Sequence, residues 1–377
     1  MGSAPQMMKG CWVRTMESAR ARAAAAKSRR AMRLPYRENL TSPHDGSDPV
    51  DLLSRARTLK HRVFLARKDS ELRAEAMRLR SDPAFLAQYA AAQEGLDVPP
   101  LQHHEGVWAI AMVRNEADII ETTVRHLLQQ GIDHMLIVDN LSDDDTPRVL
   151  ARLAEEIPHL HVGTDSEPAY YQSAKMTQLS DLVSAAGARW IIPFDADELW
   201  FAPQGRLVDA LDDSGSPVRR AHLFNLFPSP GGKQWRLDTA RHFDDKVAFR
   251  PWGGAVVTMG NHEVSRPGSR ESEGLRILHM PWRSFEQFAR KTRIGAAAVA
   301  RAELDEGEAY HWRWLGSASD DELRTVWRQL LSGEAVANAA WYPRGALRPV
   351  GDMPPPSWAA VQPLLEPMAP RPGASTR

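Results

Sequence analysis

Trp190-Ile191-Ile192-Pro193-Phe194-Asp195-Ala196-Asp197-Glu198 decides how the rest of the chain is read. An apolar run of strand length leads directly into three carboxylates. A run this short, with no polar alternation, fits a strand buried on both faces, as in a parallel sheet. Acids at the end of such a strand are costly unless something positive meets them. In an extended segment residues two apart share a face, so Asp195 and Asp197 are expected to address one divalent cation. Their hard oxygens suit Mg²⁺ or Mn²⁺.

Toward the N-terminus the same grammar repeats. Val107 to Val113 is an apolar run, followed by Arg114-Asn115-Glu116-Ala117-Asp118. Asn115 is expected to cap a helix whose stripe is Ile119, Ile120, Val124, Leu127 and Leu128, with Gly131 just past its end. Met135 to Val138 is the next strand, followed by Asp139-Asn140-Leu141-Ser142-Asp143-Asp144-Asp145. Thr146-Pro147 then reads as a cap and first position for a helix through Leu150, Leu153 and Ile157. A further helix runs through Met176, Leu179, Leu182 and Val183. Strands alternating with amphipathic helices imply an α/β fold with ligands at the carboxyl ends of the strands. The polar clusters fall at those ends.

Beyond residue 203 the pattern becomes mixed: strands are expected over Arg220–Phe227, Lys246–Arg250, Ala255–Met259 and Ile277–Met280. Ser284 and Gln287 have capping-box spacing before another helix. Upstream, apolar steps from Leu52 to Leu79 and the Ser81-Asp82-Pro83 start signal indicate helices. The chain therefore divides into a basic tail (1–48), a helical segment (49–104), an α/β domain (105–345) and a Pro-rich tail (346–377).

Charge and cysteine content exclude several classes. The net charge is −1, so no overall field favours nucleic acid. Lys9, Arg14, Arg20, Arg22, Lys27, Arg29, Arg30 and Arg33 face only Glu17 near the start, a run that could contact an anionic membrane surface. Cys11 is the sole cysteine, ruling out an intrachain disulfide or a thiolate cage. No apolar run is long enough to span a bilayer, and the N-terminus lacks a secretory signal. A cytoplasmic location, with peripheral contact at the inner membrane face as a further option, is the expectation.

Arg114-Asn115-Glu116-Ala117-Asp118, Val138-Asp139-Asn140 with Ser142, and Phe194-Asp195-Ala196-Asp197-Glu198, in that order and spacing, resemble the family 2-like glycosyltransferases. The resemblance implies the GT-A fold, a nucleotide-diphosphate sugar donor, a saccharide, lipid-linked or protein acceptor, and Mn²⁺ or Mg²⁺. It implies that Asn115 and Glu116, with Arg114, line the nucleoside site, joined by Asp139, Asn140, Ser142 and Lys175. Asp195 would contact the ribose and a metal-bound water, Asp197 would ligate the metal directly, and His279 would complete the metal shell. Asn140 departs from the family's commoner second Asp, which bears on base preference. Arg283 and Lys291 are candidates to hold the diphosphate.

An inverting transfer needs a base for the acceptor hydroxyl. Glu263 and its neighbour His262 follow a strand and are the first candidates, with Asp244 and Asp245 behind them. Two other readings remain at this point: a sugar-phosphate nucleotidyltransferase, which should carry a Gly-rich loop near the first strand, and a non-catalytic protein that binds a nucleotide sugar or an anionic surface.

Overall fold

The computed structural model describes residues 66–212, 215–232, 234–302, 309–336, 339–352 and 357–365. The basic stretch expected over 1–48 and the helical start expected from Pro49 lie outside or largely outside these residues. Two helices come first: α1 over 66–80 and α2 over Pro83–Gly95. Asp82 caps α2, accepting from the backbone N–H of Ala84 (2.9 Å) and Phe85 (3.1 Å), and Pro83 opens its first turn.

A short edge strand, β1 (Leu96–Asp97), precedes the α/β alternation: β2 (Gly106–Val113), α3 (Ile120–Gln129), β3 (His134–Asp139), α4 (Thr146–Glu156), β4 (Leu160–Asp165), α5 (Gln172–Ala185) and β5 (Ala188–Pro193). β4, β3, β2 and β5 lie side by side and parallel. Alternate residues of β2 enter different layers, which is why the run shows no polar period. Val107, Ala109, Ala111 and Val113 pack with Val124, Leu127, Leu150 and Leu153 of α3 and α4. Trp108 and Ile110 pack with Met176, Leu179 and Val183 of α5. Each fully buried leucine in these layers contributes roughly 1.5–3 kcal/mol over its exposed state, so burial sets where the helices sit.

The second half adds β6 (Glu198–Phe201), α6 (Leu207–Asp212), β7 (Val218–Pro228), β8 (Gln234–Asp238), β9 (Lys246–Phe249), β10 (Val256–Val257), a 3₁₀ turn (Met259–Asn261), β11 (Val264–Ser265) and β12 (Arg270–His279). The main sheet runs β1-β4-β3-β2-β5-β9-β7-β12-β6, and the β9 pairings with β5 and β7 are antiparallel. Then follow α7 (Phe285–Arg301), α8 (Tyr310–Ser317), α9 (Asp320–Ser332), β13 (Leu347–Asp352) and α10 (Trp358–Leu365). No helix among the described residues is long and apolar enough to cross a membrane.

Several local expectations differ from what is found. Asn115 does not cap α3, which has no side-chain cap. It adopts φ +57° and serves a neighbouring loop instead. Thr146 lies inside α4, and its hydroxyl donates to Asp144 at 2.5 Å. β4 escaped the sequence reading because its exposed and half-buried positions break the apolar run. Within the stretch expected as a Pro-rich tail, β13 pairs with β8 and α10 buries Trp358 and Val361. Pro349 is tolerated there because β13 pairs on one side only. One strand and two helical turns are too short to set up a repeating stripe.

Candidate active site

The carboxyl ends of β2, β3 and β5 converge on a cavity of about 240 Å³. At the end of β2 the left-handed backbone of Asn115, a conformation that asparagine tolerates, turns its side chain to the loop after β3. Its Oδ1 accepts from the N–H of Asp143 (2.8 Å) and Asp144 (3.3 Å), and its own N–H donates to Ser142 Oγ (2.8 Å). Ser142 N–H donates to Asp139 Oδ2 (3.1 Å). Two buried polar atoms in this laced pair of loops have no protein partner: Asn115 Nδ2 and Asp139 Oδ1. Arg114 Nε is a third, on a residue that lines the cavity. An unpaired buried donor or acceptor costs roughly 1–3 kcal/mol, so each asks for a partner.

Asn140 and Lys175 line the same cavity, but their polar ends are engaged. Asn140 Nδ2 donates to Asp165 Oδ2 and to the Glu167 carbonyl, both at 2.8 Å. Lys175 Nζ lies 2.7 Å from Asp165 Oδ2 and donates to the Glu167 carbonyl at 2.6 Å. Burial lowers the Lys175 pKa against the opposing pull of Asp165. The two side chains brace the ends of β3, β4 and α5 around Asp165, a residue that nothing in the sequence singled out.

The Asp-x-Asp motif is not extended. β5 stops at Pro193, and the Glu198 N–H donates to the Asp195 carbonyl at 3.0 Å, closing a turn. The turn sends the two carboxylates apart. Asp195 accepts from Lys246 Nζ (2.6 Å) and Asn261 Nδ2 (3.1 Å). Lys246 also meets Glu198 at 2.9 Å. Burial would lower the Lys246 pKa, but the two carboxylates outweigh it and raise it. For Glu198, burial is the largest influence and pushes its carboxyl up.

Asp197 faces the other way, 2.5 Å from Lys291 Nζ and 3.6 Å from His279 Nε2. Its burial favours the neutral acid, yet the charges of Lys291, first, and Arg283 hold it well below the usual carboxylate range. Burial pushes His279 down to about 3, so its ring is neutral at pH 7. His279 pairs in register with Asn225 on β7, and Nδ1–H donates to Asn225 Oδ1 at 2.8 Å. The lone pair on Nε2 is therefore left toward the Asp197 carboxylate, acceptor against acceptor.

Arg283 ties this cluster to the end of β2. It ion-pairs with Glu116 and makes a two-pronged contact with Asp118, at 2.7 and 2.8 Å. Lys291 lies 3.3 Å from Glu116. Ser284 caps α7 by accepting from Gln287 N–H (3.1 Å), while Gln287 Oε1 accepts from Arg283 N–H (3.1 Å), which fixes the arginine.

The fit to a divalent cation is thus uneven. No group of three or more His, Cys, Asp or Glu side chains converges on one metal position among the described residues. Asp197 and His279 do converge, as two adjacent acceptors; Asp195 instead directs both oxygens to Lys246 and Asn261. Two protein ligands, with the remaining positions left to water and phosphate, suit Mg²⁺ or Mn²⁺ bound with a nucleotide.

The base candidates also separate. Glu263 ion-pairs with Arg220 and lies 3.3 Å from Arg270, and it is not part of the cavity lining. Asp245 is held by Arg241 (2.6 Å) and His222 (3.0 Å). Asp244 lines a second, adjoining cavity, where burial raises its pKa. His262 lines both cavities. Its Nδ1–H donates to the Asp245 carbonyl at 2.9 Å, which leaves Nε2 as the accepting nitrogen.

Residues 108–222 match the model of the family Glycosyl transferase family 2. That match spans about a third of the chain, from β2 into β7. No curated protein sequence matches it. Among solved structures, residues 1–349 of TarS from S. aureus in complex with UDP are 14% identical, with 56% of this chain and 70% of that one covered and a TM-score of 0.31. The mannosyltransferase PcManGT from Pyrobaculum calidifontis, in complex with GDP-Man and Mn²⁺, is 17% identical, with 71% and 89% covered and a TM-score of 0.35. The matched segment holds most of β2, then β3 to β5 and the Asp-x-Asp turn. Lys291, Arg283 and His279, which close the ion network, lie beyond it.

Proposed function

We propose that the chain moves a sugar from a nucleoside-diphosphate donor to an acceptor hydroxyl by direct displacement with inversion, with a divalent cation bound. The observation that carries this is the meeting of His279 Nε2 and Asp197 at 3.6 Å in the cavity that also holds Lys291 and Arg114. A divalent cation held by Asp197 and His279 would neutralise charge gathering on the departing diphosphate. Lys291, already 2.5 Å from Asp197, adds a fixed positive charge beside that position. Asn115 Nδ2 and Asp139 Oδ1, one donor and one acceptor, suit the hydrogen-bonding edge of a heterocyclic base.

His262 is the base in this reading, ahead of Glu263, whose carboxylate is held by two arginines. Burial pushes the imidazole down to about 4, so the accepting form is present throughout the neutral range. The acceptor oxygen attacks the anomeric carbon and its proton passes to Nε2. The bond from carbon to the diphosphate oxygen breaks with its electron pair on the leaving group.

The test is turnover of UDP- and GDP-sugars by the purified chain with Mn²⁺ and with excess chelator. Nucleoside diphosphate should be released with Mn²⁺ only. His262→Gln should lower transfer by roughly 10²–10⁴-fold, the usual share of a general base, at unchanged donor affinity. Full turnover in chelator would remove the cation from the reading, and normal turnover by His262→Gln would remove the base.

A further inference from the structure

The second cavity, of about 460 Å³, adjoins the first, and His242, His262 and Trp341 line both. Its walls are unusual for a protein surface. Phe243 is 62% exposed and Tyr310 50% exposed, and both line it. Large aromatic side chains normally bury most of their area, and an open pair of them flanking a cleft marks a contact surface. Arg344 lies over the rings of Phe243 (4.5 Å) and Tyr342 (4.9 Å) and so stiffens that wall. Its backbone N–H is anchored on Asp238 at 2.8 Å.

The polar groups are equally specific. His242, His262 and His311 are each pushed by burial to about 4, so they are neutral rings that can donate and accept. Asp244 and Arg344 balance each other's charge within the same cavity. Flat apolar faces, neutral two-way hydrogen-bonding groups and no net charge match a sugar ring, which has one C–H face and a rim of hydroxyls. An acyl chain would leave the imidazoles and Asp244 unpaired, at a cost for each.

We propose that this cavity is the acceptor subsite and takes an uncharged sugar ring, its C–H face on Tyr310 and Phe243 and one hydroxyl presented to His262 where the cavities meet. The proposal rests on the donor occupying the first cavity. The hydroxyl oxygen bonds to the donor's anomeric carbon, its proton goes to His262 Nε2, and the diphosphate leaves with the electron pair.

The test is saturation-transfer NMR on the full chain with methyl and octyl glucosides, galactosides and mannosides, beside a calorimetric titration of nucleoside diphosphate. At least one methyl glycoside should receive saturation on its C–H face. Its affinity should fall at least tenfold in Tyr310→Ala and Phe243→Ala, and persist in Tyr310→Phe and Phe243→Tyr. Equal binding by the alanine variants would overturn the assignment. So would binding of octyl but not methyl glycosides, which would mark a lipid site. A wild-type chain that binds nucleotide but none of these sugars would likewise overturn it. Failure to bind nucleotide would strike the donor reading instead.

Discussion

Asp139, which ends β3, and Glu263, just before β11, are both acids at strand ends, and their surroundings give them opposite prospects. Asp139 keeps one buried oxygen without a partner at the sheet's ligand edge, whereas Glu263 is neutralised by Arg220 and Arg270. Asp139→Ala should therefore weaken nucleoside-diphosphate affinity by roughly 0.5–1.5 kcal/mol while leaving Mn²⁺ affinity intact, as read by calorimetry. Unchanged nucleotide affinity would reduce Asp139 to a turn residue. Glu263→Gln should alter turnover little and lower thermal stability instead, since two arginines lose their counter-charge; a turnover loss comparable to that of His262→Gln would reverse this. The positions of the acids were legible from the sequence, because short apolar runs announce where strands end. Their partners were not. Lys246 opens an apolar strand and Asn225 lies inside one. Only the register of β7 against β12 sets Asn225 beside His279.

The 3₁₀ turn between β10 and β11 shows how an element controls a side chain. Gly260 has φ +76°, and a Cβ there would lie 2.4 Å from the His262 ring. Gly260→Ala should displace that ring and strain the backbone by about 1–2 kcal/mol, lowering transfer more than donor affinity. Equal transfer by wild type and variant would show that the ring position does not matter. α3 gives a pH prediction. His126 Nε2–H donates to the Trp200 carbonyl at 2.7 Å, and burial pushes the ring down to about 4. The folded pKa lies below the unfolded value of about 6.5, so the unfolded chain takes up the proton first. This stability is present above pH 6.5 and is lost as pH falls toward 4. His126→Gln should flatten the fall in unfolding free energy over that window by something on the order of 2 kcal/mol. An identical slope would mean that the ring is solvated. Helix existence was readable from apolar stripes, but the cap assignments at Asn115 and Thr146 failed. Both side chains serve the contact between two loops distant in sequence, which no local pattern encodes.

On the scale of the molecule, β2, β3 and β5 of the parallel half were readable because they are buried on both faces, while the partly exposed β4 was not. In the second half β7, β9, β10, β12 and α7 were also legible, whereas β6, β8, β11 and β13 were not, since these short strands gain meaning only by pairing with their neighbours. The first cavity's lining runs from Met112 to Trp341, so removal of the first 48 residues should leave nucleotide affinity unchanged by calorimetry; its loss would assign that segment a part in the site. The central claim is that Asp197 and His279, far apart in sequence, seat a cation beside the donor. The most direct measurement is a Mn²⁺ titration followed by electron paramagnetic resonance, with nucleoside diphosphate present and the fold checked by circular dichroism. The wild-type chain should deplete the free Mn²⁺ signal. Asp197→Asn and His279→Ala should remain folded and deplete it at least tenfold more weakly. Undiminished Mn²⁺ binding in both folded variants would contradict the account.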